Sequence, residues 1–112
     1  MDAVNEQEVM KAIEAMKDKI IEQFHPVKII LFGSYARGTF AVDSDVDLLV
    51  VMEVNGSKRR TAAAIDLALA DRSLSLDLVV VTPDEFESFQ NVTGHFLCPA
   101  VREGKVLYER AA

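Results

Sequence analysis

The chain is poor in the residues that cross-link a fold or carry it into a bilayer. It has one cysteine, Cys98, in 112 residues. That excludes an internal disulfide framework and a cysteine-rich zinc site. No apolar run approaches the roughly 18–20 residues needed to cross a membrane. Positive charge is also scarce: 12 Lys and Arg stand against 18 Asp and Glu, a net charge of −6. A broad nucleic-acid groove needs clustered cations, so extended nucleic-acid binding is disfavoured. The one basic cluster, Lys58, Arg59 and Arg60, reads as the solvated start of a helix. No Gly-x-x-x-x-Gly-Lys motif occurs, which disfavours a P-loop.

Half of the residues are hydrophobic, enough for one compact core at this length. A single domain over residues 1–112 is therefore expected, with no internal repeat. Residues 1–11 are polar and acidic, so no secretory signal is expected. These points favour a soluble cytoplasmic protein.

Hydrophobic periodicity orders the elements. Val9, Ile13, Met16, Ile20 and Phe24 recur every three or four residues and predict an amphipathic helix. Asn5, with Glu8 three positions on, is a capping start. His25 and Pro26 end the helix, since proline disfavours helical geometry in the residue before it. A strand over 27–32, a sharp turn at Gly33, a short helix over 34–38 and a strand over 46–52 follow. The alanine-rich stretch 58–70 predicts a helix with Ile65, Ala68 and Leu69 inward, and 74–81 a strand. Thr82, Pro83 and Glu85 form a strong helix start. A helix within 91–102 and a short strand over 106–108 complete the series. Strands alternating with helices imply an α/β or α+β sheet with helices packed on it.

The chemistry concentrates between residues 33 and 77. Gly33, Ser34, Tyr35, Ala36, Arg37 and Gly38 form a phosphate-sized turn behind a strand. Asp45 and Asp47 open the next strand. Strand side chains alternate, so both carboxylates face one way while Val46 and Leu48 face the core. Asp77 is flanked by Leu76 and Leu78 and obeys the same alternation. Acids crowded on one face repel each other, and a divalent ion bound by oxygen ligands relieves that. The contrasting reading of each acid is a solvent-facing residue on an edge strand. Tyr35 and Cys98 read as packing residues, His25 as a cap or surface residue, His95 as structural.

Gly33 and Ser34, ten residues, then Asp45, Val46 and Asp47: this pattern resembles the minimal nucleotidyltransferases of the DNA polymerase β superfamily. The resemblance implies an α+β fold with a small mixed sheet, the polymerase-β-like nucleotidyltransferase core. It implies a nucleoside triphosphate substrate, ATP foremost, and two Mg²⁺ ions. Asp45, Asp47 and Asp77 would be the catalytic metal ligands. Gly33, Ser34 and Arg37 would bind the nucleotide. Larger relatives carry acceptor-binding domains, and this short chain is expected to meet its acceptor on a partner. Small members are often paired with a HEPN protein, a toxin that they silence by moving AMP onto it. Such an antitoxin is the reading adopted. The alternative is a non-catalytic nucleotide-binding module that neutralises a partner by contact, with the apolar segment 92–101 as its interface. A homodimer stays open.

Overall fold

The computed structural model describes residues 6–38, 45–72, 74–89 and 103–110. The expected cap at Asn5, the polar link at Asp43 and Ser44, the helix within 91–102, the interface at 92–101, His95 and Cys98 all lie outside these residues.

Helix α1, Glu6–Phe24, comes first. Strand β1, Lys28–Phe32, leads into the single turn of α2, Ser34–Arg37. Strand β2, Val46–Val51, is followed by α3, Lys58–Ala68. Then come β3, Leu76–Val81, α4, Pro83–Phe89, and β4, Lys105–Glu109. The strands form one mixed sheet in the order β3, β2, β1, β4. β1 runs antiparallel to β2 and β4, while β2 and β3 are parallel. The expected α+β fold with a small mixed sheet is what the chain adopts.

Helices α1 and α3 cover one face of the sheet. Val9, Ile13, Met16 and Ile20 lie buried against Ile29, Leu31, Val46, Leu48 and Val50, with Ile65 of α3 and Leu69 just past its end. Tyr35 and Ala36 of α2 close the same core, so Tyr35 does pack as expected. The other face has a smaller apolar cluster of Ile30, Leu49, Val51, Val81 and Phe86. β2 is therefore buried on both faces. Burial of each such side chain contributes about 1.5–3 kcal/mol.

Local chemistry sets the element ends. Ser57 caps α3, its hydroxyl accepting from the Arg60 amide at 3.3 Å. Arg72 closes the far end by donating to the Asp66 and Leu69 carbonyls. At α4 the expected capping box forms: the Thr82 amide donates to Glu85 at 2.9 Å, and the Glu85 amide donates back to the Thr82 hydroxyl at 3.2 Å. The Lys58 ammonium, then the Thr82 amide, hold the Glu85 carboxyl below the ordinary glutamate range. His25 is exposed and takes φ +52° at the exit of α1, a backbone region that favours glycine or asparagine.

Candidate active site

The sheet register assembles the site. Asp47 and Asp77 are direct partners on the parallel strands β2 and β3. Partners in a ladder share a face, with neighbouring strands about 4.8 Å apart. Phe32 of β1 is the antiparallel partner of Asp47. One row across the sheet therefore reads Asp77, Asp47, Phe32. It lies on the face opposite α1 and α3, at the end away from Phe86. Val46, Leu48, Leu76 and Leu78 all turn to the helical face, which anchors the acids by alternation. The Val46 amide donates to the Ser75 carbonyl at 2.8 Å and ties the two strands where the acids begin.

Asp45 immediately precedes β2 and is exposed; Asp77 is exposed and Asp47 half-buried. Among the described residues, no three His, Cys, Asp or Glu side chains are gathered into a ready-made metal site. The structure thus brings Asp47 and Asp77 into register and puts Asp45 at the mouth of the same strand. All three side chains offer carboxylate oxygens, the kind of ligand a hard cation such as magnesium takes.

Gly33 follows β1 directly and has φ +76°. The Ala36 amide donates to its carbonyl at 3.1 Å, closing the turn into α2. A Cβ at position 33 would overlap Oδ2 of Asp47 and stand 3.0 Å from its Cγ. The glycine therefore makes room for an acid fourteen positions later. Sequence reasoning assigned it to a sharp turn and to nucleotide binding, and missed this contact. No local pattern signals it, because it exists only once β1 and β2 pair. Ser34 and Arg37 lie on α2, beside this turn.

A family model described as a nucleotidyltransferase domain matches residues 9–108. A protein of Methanocaldococcus jannaschii, MJ0604, named as a candidate protein adenylyltransferase, is 32% identical over 109 residues. The match covers 94% of this chain and all of that protein. A second protein of that organism, MJ1305, named in the same way, is 65% identical over 34 residues, 30% of this chain and 22% of its own length. Among solved structures, a candidate nucleotidyltransferase of Sulfolobus solfataricus superposes with a TM-score of 0.59 at 19% identity, covering 94% of this chain and 84% of that one. A toxin–antitoxin structure containing AMP-PNP superposes with a TM-score of 0.50 at 27% identity, covering 96% and 75%.

Proposed function

Since the chain belongs to the nucleotidyltransferase domain family and is a nucleotidyltransferase, we propose that it moves AMP from ATP onto a hydroxyl of a partner protein. The observation that carries this reading is the register of Asp47 with Asp77, with Gly33 packed against Asp47. The protein-directed acceptor is supported by the name of the MJ0604 relative, which aligns along its whole length. The nucleotide is supported by the AMP-PNP in the related toxin–antitoxin structure. By the resemblance to small HEPN-paired members, the partner is a HEPN-type toxin and this protein its cytoplasmic antitoxin. One domain carries the activity. Among the described residues, no helix is long and apolar enough to cross a membrane.

The family resemblance supplies the roles. Asp45 and Asp47 would hold magnesium, and Asp77 would complete the set. Bound magnesium supplies positive charge that offsets the acids and the charge developing on the triphosphate. Gly33 lets the backbone approach the phosphates, and Ser34 and Arg37 bind them. Asp77, on the outer strand, takes the proton of the acceptor hydroxyl. The freed oxygen bonds to the α-phosphorus as the bond to the bridging oxygen breaks. Pyrophosphate leaves, and the acceptor keeps AMP.

The test is intact mass of the co-purified partner before and after ATP and Mg²⁺, with wild type and Asp47→Ala. An AMP-sized gain seen only with wild type is expected. Full inhibition of the partner by Asp47→Ala, with no gain from either protein, would sink the reading and leave inhibition by contact.

A further inference from the structure

Among the described residues the sheet has two outer strands, β4 and β3, and they differ in kind. β4 carries Lys105 and Glu109 at its ends, and its register shifts opposite Ile29 and Ile30. Charges and irregularities of this sort blunt an edge against pairing with another chain. β3 has neither. It pairs with β2 in unbroken register, five of its six residues are apolar, and Asp77 is its one charge.

Among the described residues, the acid end of that edge is open. Ser75 and Asp77 are exposed and Leu76, Leu78 and Val79 half-buried, while Val80 and Val81 are buried. The Ser75 carbonyl accepts from Val46 and the Val81 carbonyl from Met52, so the odd-numbered residues of β3 serve β2. Backbone groups alternate sides along a strand, so Leu76 and Leu78 turn their N–H and C=O groups outward. Beside this edge lies an open groove of about 660 Å³ between α3 and the start of β3, lined by Ala63, Leu67, Ala70 and Leu74 and by the ion pair of Asp66 and Arg72. Leu67 is 76% exposed, off the inward stripe that buries Ile65 and Leu69.

Resting on the protein-modifying reading above, we propose that the outer edge of β3 receives an extended segment of the acceptor protein by strand addition. Main-chain bonds to Leu76 and Leu78 hold the segment. Its hydroxyl residue shares the face of Asp77. The residues on either side of it point to the other face, toward the groove at Leu67. The next residues out return to the acid face, where a positive side chain is favoured. A second copy of this chain is a poor occupant: edge-to-edge pairing would draw two acid rows together, in a chain of net charge −6.

The probe is the peptide Ser-Lys-Val-Tyr-Val-Lys-Ser, built to that alternation. Amide hydrogen exchange at Leu76 and Leu78, followed by NMR, is expected to slow about tenfold or more at saturating peptide. Leu78→Pro removes one outward N–H and leaves the β2 ladder intact; it should abolish the slowing at Leu76. Leu67→Lys keeps the whole ladder and should weaken peptide binding several-fold, which guards against a misfolded proline variant. No slowing at millimolar peptide overturns the proposal. So does slow exchange in the peptide-free protein with a dimeric mass, which would assign the edge to a second copy. Slowing without AMP transfer from ATP and Mg²⁺ keeps the docking edge and counts against the transfer reading. Transfer to the peptide with edge amides still open does the reverse.

Discussion

The carboxylate of Asp47 fills the space that a side chain on Gly33 would need. The two residues belong to different strands, yet neither position is independent of the other. Gly33→Ala must fit a Cβ at φ +76° and 3.0 Å from the Asp47 Cγ. The expected cost is about 1–3 kcal/mol in chemical denaturation, with AMP transfer reduced at least about tenfold. Adding Asp47→Ala should restore the steric share of stability and none of the activity. An additive double mutant would contradict the contact.

Asp77 lies directly opposite Asp47, so the pair repels in the absence of a cation. Without divalent ions, Asp77→Asn should raise stability by about 0.2–1 kcal/mol. In wild type, Mg²⁺ should raise the melting temperature and EDTA reverse the gain. In the variant the gain should shrink and transfer fall. Equal Mg²⁺ stabilisation of both proteins would remove Asp77 from the ion's surroundings.

Glu85 gives the chain an acid-sensitive joint at α4. Its carboxyl titrates below the ordinary range because Lys58 and the Thr82 amide favour the charged form. A depressed folded value means the contribution is full above the unfolded value of about 4.3. It is lost as pH falls through the lowered value. Glu85→Gln keeps an oxygen for the capping bond and removes the charge. It should cost no more than about 1 kcal/mol at neutral pH, and the difference from wild type should vanish in acid. Denaturation curves across pH check both limbs.

His25 holds φ +52° without being glycine. His25→Gly should stabilise the chain by up to about 1 kcal/mol, because the left-handed region costs a side-chain-bearing residue about that much. A drop in melting temperature would mean the imidazole is doing more than ending α1.

Element order was legible because its signals are local. The stripe of Val9, Ile13, Met16 and Ile20 and the Thr82 and Glu85 box need only neighbours in sequence. The family, too, was legible in the turn at Gly33 and the spacing to Asp45 and Asp47. What escaped was register. That Asp77 falls opposite Asp47, not one residue off, depends on how β3 docks on β2. That Gly33 yields its side-chain space to Asp47 depends on β1 pairing with β2. Leu67 sat outside the inward set of α3, yet only the groove beside β3 gave its exposure a meaning.

β1 lies between β2, which follows it closely, and β4, which comes from the far end of the described chain. Lys28 pairs with Glu109, and the Arg110 amide donates to the Val27 carbonyl at 2.8 Å. Closing so long a loop carries an entropy cost that the β1 and β2 pairing does not. During folding, the strands bearing Gly33 and Asp47 can therefore meet well before the sheet is complete. β4 holds β1 from its other side, and with it the strand end that carries the Gly33 turn.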